Sequence, residues 1–464
     1  METSTEIATM NQKPYMPPTI ERHVVGLMNK HGHGVQSKPR DTIADVAVSD
    51  LVEQHGSPLF VMVEDVLRQK YQDAHRAFST RYPRVQFAWS YKTNYLKSVC
   101  QVFHQEGAIA EVVSDFEYAK ARALGIDGSD IIFNGPYKEE TILRQAVADG
   151  ARIQIDNLDE LSLLERIATE QNLVIPVGIR INMTAGSEPT WTKFGFNYEN
   201  GEAARVIRRI ARGDQLQLAG LHMHLGTFIL DLRTYYEGMT KLLQLAHYAR
   251  DEFEIELQYI NAGGGFASTN SLKYQYLPGH ELTPSFEQYA EAICTAMEEQ
   301  MPDYAQPPLL LLETGRALVD EAGFLITSVL SVQTTADGGR ALIVDAGVNL
   351  LYTANWYRLN IDPAQEVSGP MSKTIVYGPL CMNIDVLRDD APLPAMDAGQ
   401  QLVIHPVGAY NITQSMQFIT YRPRVVMIAA DGSVDIIRQR ETLESVEALE
   451  EVPDRLEAPP AEPS

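Results

Sequence analysis

The strongest constraint on this chain is an alternation of short apolar runs with amphipathic helical segments, which begins near residue 57 and lasts for about 250 residues. PLFVMV precedes VLRQKYQDAHRAFSTRY, and VQFAWSYK precedes NYLKSVCQVFHQEG. The apolar runs are short and nearly unbroken, as parallel strands buried on both faces require. AIAEVVS then leads to DFEYAKARALG, IIFNGP to KEETILRQAVADG, RIQIDN to LDELSLLERIATEQ, and PVGIRIN to GEAARVIRRIARG. AGLHMHLG leads to DLRTYYEGMTKLLQLAHYARDEF, and LQYINAGGG to PSFEQYAEAICTAMEEQM. Many helical segments stop at a glycine suited to the position just past a helix end. Roughly eight such βα units predict a (β/α)8 TIM barrel within an α/β chain. A doubly wound open sheet is the rival, and glycines gathered after the late strands favour closure.

After LLLLETGR the rhythm changes to short apolar stretches separated by turns, which predicts a C-terminal β domain. The expected organisation is a mobile N-terminus over 1–17, a segment over 18–56 that packs on the β domain, the barrel over 57–308, the β domain over 309–442, and an acidic disordered tail over 443–464.

Charge and composition narrow the function. Lys plus Arg number 38 against 61 Asp plus Glu, and a net charge of −23 repels phosphate backbones, so nucleic acid is not an expected partner. No apolar run reaches the ~18–20 residues of a membrane span, and the N-terminus lacks the order of a secretory signal, so the expected address is the cytoplasm with no membrane contact. The three cysteines, Cys100, Cys294 and Cys381, are far apart and form no CxxC pair, which argues against a disulfide framework and a thiolate zinc site.

A barrel of this kind keeps its active site at the C-terminal ends of its strands. Lys92 stands at such an end, in SYKTN; His222 and His224 stand in HMHLGT; Gly263, Gly264 and Gly265 follow another strand; Glu313 and Arg316 close ETGR. Each has a bland reading. A strand-end lysine usually reaches water, and the two histidines, on one side of a strand, suit a metal pair, a ring-stacking role or packing. Metal is the weaker option because no acidic residue in that segment completes a ligand set. A triple glycine makes a tight turn or bares amides to a phosphate. Together they describe one cofactor, pyridoxal 5'-phosphate: a lysine for a Schiff base, an imidazole for a ring face, amides for a phosphate, and a carboxylate and a guanidinium for the ends of a charged pyridine phosphate.

With these residues in view the chain resembles the fold-type III pyridoxal-phosphate enzymes, which include diaminopimelate, ornithine and arginine decarboxylases, with alanine racemase as a more distant barrel relative. The resemblance runs from about residue 50 to 440 and is carried by SYKTN, HMHLGT, NAGGGF, ETGR, YGPLCMNID and GAY, in that order. It implies that Lys92 holds the cofactor and later returns a proton, and that His224 stacks on the ring. It implies a phosphate site of Thr227, the Gly263, Gly264 and Gly265 amides, Tyr410 and Arg316, and pairing of Glu313 with the pyridine nitrogen, which keeps the ring a full electron sink. Thr227 stands where the family usually has Ser, and Thr314 where it usually has Pro. The cysteine loop of the relatives reaches the other subunit's site, so Cys381 and Asp385 imply a homodimer with shared active sites, with Cys381 protonating the carbon that has lost carbon dioxide.

The departures concern the amino-acid substrate. Diaminopimelate decarboxylases carry Glu directly after this cysteine and Arg four positions before the tyrosine of the preceding loop. Here Met382 follows the cysteine, and Thr353 stands before Tyr357. An unpaired distal zwitterion would cost several kcal/mol to bury, so diaminopimelate is a poor fit. Asp385 would take a distal amine; Met382, Trp356 and Phe418 suit a longer, less polar or conjugated side chain. The expected activity is an amino-acid decarboxylase. The alternatives are a racemase or epimerase on the same cofactor, which would exchange the α-hydrogen and keep the carboxylate, and a non-catalytic regulatory homologue, which would have no need of Lys92, Glu313 and Cys381.

Overall fold

A computed structural model describes residues 39–275 and 277–456. Eight parallel strands close into a barrel: Val85–Ser90, Ile109–Val112, Ile131–Phe133, Arg152–Ile155, Ile175–Asn182, Leu216–Met223, Tyr259–Asn261 and Leu309–Leu312. The last pairs with the first through Leu310 opposite Val85 and Leu312 opposite Phe87, and this seam settles the barrel against the open sheet.

The strand count matches the expectation, but two strands exchange places with it. Leu59–Val63, expected to open the barrel, runs antiparallel to Gly323–Thr334 and parallel to Arg424–Ile428 in the second sheet. Leu309–Leu312, expected to open the β domain, is the eighth barrel strand. Both runs are short, apolar and nearly wholly buried, and partner choice is a long-range property that a uniformly apolar strand does not encode. The helix Glu64–Ser79 still packs on the barrel, where the Phe78 ring lies 5.6 Å from Phe87 and 5.9 Å from Phe266.

Helix ends follow local chemistry. Ser114 and Asn157 accept from the backbone N–H groups of Glu117 and Glu160, and Ser285 forms a reciprocal cap with Gln288. Gly125 and Gly150 take φ values of +85° and +74° just past their helices. Gly213, by contrast, ends the helix Glu202–Arg212 in an extended conformation. Inside the barrel floor, Tyr259 donates no space: its ring leaves room only for hydrogen at Gly220, where a Cβ would come within 2.1 Å of it, and Gln154 Nε2 donates to its hydroxyl at 2.9 Å.

The second sheet runs in the order Val386–Leu393, Ser372–Tyr377, Arg340–Val344, Gly323–Thr334, Leu59–Val63, Arg424–Ile428, Val434–Arg438, with Gln401–His405 branching from Gly323–Thr334 and Asn360–Pro363 pairing on Gln401–His405. Ile43, Val48 and Leu51 bury against Leu59, Val61, Ile326, Val403 and Val426 of this sheet. The expectations for 1–17 and for 18–38 lie outside the described residues. At the other end, Leu443–Glu447 forms a turn of helix rather than disordered tail, because Thr442 and Ser445 cap each other reciprocally; residues 457–464 lie outside the description. Among the described residues no helix is long and apolar enough to cross a membrane.

Candidate active site

Lys92 sits in a single 3-10 turn, Tyr91–Thr93, directly after the first barrel strand. The β domain clamps this turn. Thr413 Oγ1 donates to the Lys92 carbonyl at 2.9 Å, Tyr410 N donates to the Thr93 carbonyl at 2.8 Å, and Asn94 Nδ2 donates to the Gly408 carbonyl at 3.0 Å. The lysine therefore stands at the barrel mouth because of contacts more than 300 residues away in sequence.

Its ammonium lies 2.5 Å from Glu111 Oε2 while the side chain keeps 37 % of its surface accessible. Burial pulls its pKa down, but the carboxylate of Glu111, followed by Tyr410 and Glu313, more than offsets this and raises it. Glu111 is itself buried and accepts from Ser90 Oγ as well. Asn134 Nδ2 joins two carboxylates, donating to Glu111 Oε1 at 2.9 Å and to Glu313 Oε1 at 2.8 Å. Asn261 Nδ2 donates to the same Glu313 oxygen at 2.6 Å, and His222 Nε2 faces the other at 3.2 Å. Burial pushes the Glu313 carboxyl up, but His222, Lys92 and Asn134 together hold it well below the usual carboxylate range. It is a fixed anion at the barrel mouth.

The two histidines have different partners. His222 turns to Glu313, while His224 Nδ1 accepts the Gly264 N–H at 3.1 Å. Burial, with Arg180 and Lys92 nearby, holds the His224 pKa well below 6.5, so its ring is neutral. Trp191 lies 5.7 Å from it, tilted by 48°. Among the described residues no group of His, Cys, Asp and Glu is arranged to hold a metal ion.

The glycine run is a close-packed turn. Gly263 and Gly265 have φ of +67° and +98°, and a Cβ would come within 2.2 Å of the Met223 carbonyl at Gly263 and within 2.3 Å of the Glu313 carbonyl at Gly264. The expectation of three free amides needs correction: Gly263 N donates to Asn261 Oδ1 and Gly264 N to His224 Nδ1, which leaves the Gly265 amide for a ligand. Thr227 is exposed beside this turn.

Arg316 is buried, yet its Nε and Nη1 have no hydrogen-bond partner. Its guanidinium carbon lies 4.8, 5.0 and 5.9 Å from the ring centres of Tyr410, Tyr357 and Phe228. A buried cation with unpartnered donors is a candidate anion site. Tyr357, expected to touch substrate, belongs to this aromatic frame and packs 5.2 Å from Phe228.

The cysteine loop stands apart. Cys381 is exposed, Met382 is partly buried, and no hydrogen bond or ion pair among the described residues links the loop to Lys92, His224, Glu313 or Arg316 within the chain. Asp385, expected as a substrate ligand, is instead the clasp of this loop. Its Oδ1 accepts from Val348 N at 2.7 Å and its Oδ2 from Leu380 N at 2.8 Å, and it is 2 % exposed. Leu380 N lies in the cysteine loop and Val348 N in the segment that follows Arg340–Val344, so the carboxylate ties the two together.

Glu111, Asn134, Arg180 and Trp191 were not singled out in the sequence. The available signal was a carboxylate in the middle of the apolar strand IAEV, where an ionised group is buried only with partners.

These residues fit pyridoxal phosphate on their own geometry: a lysine beside a carboxylate, a fixed buried anion for a ring nitrogen, a buried guanidinium with vacant donors, and a glycine turn too tight for side chains. The pyridoxal binding domain model of the pyridoxal-dependent decarboxylases matches residues 68–320. The chain is 28 % identical to the diaminopimelate decarboxylase of Methanothermobacter thermautotrophicus over 91 % of its own length and 98 % of the relative's. It is 28 % identical to that of Bacillus subtilis, over 92 % and 97 %. The crystal structure of diaminopimelate decarboxylase from M. jannaschii superposes with a TM-score of 0.82 at 26 % identity, covering 90 % of this chain and 98 % of that one. The fold, the mouth of the barrel and these likenesses agree: the chain belongs to the pyridoxal-dependent decarboxylase family and is a pyridoxal-phosphate-dependent amino-acid decarboxylase.

Proposed function

We propose that this enzyme decarboxylates an amino acid whose side chain ends without the free zwitterion of diaminopimelate, and that it works in the cytoplasm as a homodimer with shared sites. The observation that carries the substrate reading is Thr353. Its backbone N–H and Oγ1 both donate to Asn411 Oδ1, at 3.2 and 2.9 Å, and it is buried, so the position where the family resemblance expects a guanidinium is tied into the β domain. Met382 offers no charge at the position expected to carry the other contact. An exposed free thiol at Cys381 suits a reducing compartment.

Bound pyridoxal phosphate supplies the electron sink that makes loss of the α-carboxylate accessible. Lys92 would hold it covalently, His224 would stand against its ring, Glu313 would pair with its nitrogen, and Arg316, Tyr410, Thr227 and the Gly265 amide would bind its phosphate. Glu111 holds the Lys92 ammonium in place across 2.5 Å. The neutral His224 adds no positive charge beside the ring, and Glu313, ionised at every physiological pH, would set a negative charge against the ring nitrogen. Cys381 of the partner subunit would donate the proton that replaces the departed carboxylate, from a loop that Asp385 holds in shape.

The test is carbon dioxide release from a panel of meso-diaminopimelate, lysine, ornithine, arginine and amino acids carrying an acyl conjugate on the side chain. The proposal expects a conjugated or apolar-ended member to exceed meso-diaminopimelate in kcat/KM. Diaminopimelate decarboxylation is the second reading, favoured by the relatives named above, and a highest kcat/KM for that substrate would establish it instead.

A further inference from the structure

We propose that Asp320 is a positioning residue for anion recognition: from the seam between barrel and β domain it holds the Arg316 guanidinium and the Tyr410 loop together as one site for the phosphate end of the cofactor. The proposal rests on the reading of Arg316 as the phosphate-binding cation.

Asp320 directly follows the short helix Arg316–Val319 and is 1 % exposed. Its groups reach two separate segments. Oδ2 accepts from Ser268 Oγ and, at 2.8 Å, from Asn270 Nδ2, both in the loop that continues from the glycine turn. Oδ1 accepts from Ala409 N at 3.2 Å, and the Asp320 carbonyl accepts from Gly408 N at 3.0 Å. Gly408 and Ala409 lead into Tyr410, whose ring frames the guanidinium. The loop meets the helix with no clearance, since a Cβ at Gly408 would come within 2.0 Å of the Val319 carbonyl.

The distance to Arg316 decides the role. Asp320 Oδ2 is 4.0 Å from Arg316 Nη1, close enough to balance a buried positive charge and too far to hydrogen-bond to it. The guanidinium is thereby kept in an apolar, aromatic frame while its Nε and Nη1 donors stay vacant for an incoming anion. A carboxylate at hydrogen-bond distance would occupy the same donors. No other carboxylate among the described residues pairs with Arg316.

The test compares the affinity of the full-length protein for pyridoxal phosphate and for pyridoxal, which lacks the phosphate, by absorbance titration after the bound cofactor is removed. Asp320→Ala should weaken pyridoxal phosphate by at least about tenfold and change pyridoxal by less than about twofold. Arg316→Ala should show the same selective loss, and the double variant should bind no more weakly than Arg316→Ala alone. An equal loss for both ligands, or no loss, in Asp320→Ala overturns the proposal. If Arg316→Ala itself fails to discriminate between the ligands, the reading of Arg316 has failed and the Asp320 role goes with it. Should Asp320→Ala not fold, Asn270→Ala, which removes one supporting donor, should still weaken the phosphorylated ligand selectively, and no selectivity there also counts against the role.

Discussion

Asn134 Nδ2 lies 2.8 Å from Glu313 Oε1, and because the same nitrogen also donates to Glu111, one neutral amide joins the carboxylate beside Lys92 to the carboxylate expected at the pyridine nitrogen. Asn134→Ala leaves two buried carboxylates each short of a donor, at about 1–3 kcal/mol apiece. The variant should unfold at lower temperature and release carbon dioxide more slowly. Unchanged thermal unfolding would show that water replaces the amide at no cost.

The same contacts set an acid limit. The Glu313 carboxyl is depressed in the folded protein, so its contribution to stability is fully present above its unfolded value of about 4.3 and is lost as pH falls toward the folded one. Urea unfolding at a series of pH values should show this loss only below about pH 4. Asn261→Ala, which removes a 2.6 Å donor, should raise the folded value, so that the loss begins at the same pH but is smaller.

Lys92 is expected to carry the cofactor. Borohydride reduction of the holoenzyme followed by peptide mapping should place the adduct on Lys92, and Lys92→Ala should lack the visible absorption of the bound cofactor. An adduct on Lys138 or Lys193 would refute the assignment.

Shared sites have a numerical signature. Lys92→Ala and Cys381→Ala chains, each inactive alone, should on mixing recover about a quarter of wild-type activity, since half the dimers are mixed and each of those has one intact site. Absence of recovery with subunit exchange confirmed by mass would mean that each chain completes its own site.

Specificity is the fifth point. Without a carboxylate at Met382 or a guanidinium at Thr353, meso-diaminopimelate should be used at least ~100-fold less efficiently than the true substrate, a difference of only about 2.7 kcal/mol in transition-state binding. Met382→Glu should raise the activity on diamino substrates. The steady-state kcat/KM ratio for the two substrates is the measurement.

The sequence alone determined the barrel class and the cofactor chemistry, because strand-ends in a barrel converge on one mouth and local motifs such as SYKTN, NAGGGF and ETGR mark those ends. Periodicity and caps are local properties, and the strands and helix ends they predicted were largely recovered. Only the tertiary structure decided which apolar runs belong to which sheet, since Leu59–Val63 and Leu309–Leu312 are alike in composition and differ only in distant partners. It also decided that Asp385 clasps a loop and that two of the three glycine amides are already bonded. Glu111, Asn134 and Asp320 became visible for the same reason: a buried polar side chain is defined by the donors and acceptors that folding brings to it, and those lie tens to hundreds of residues away in the chain.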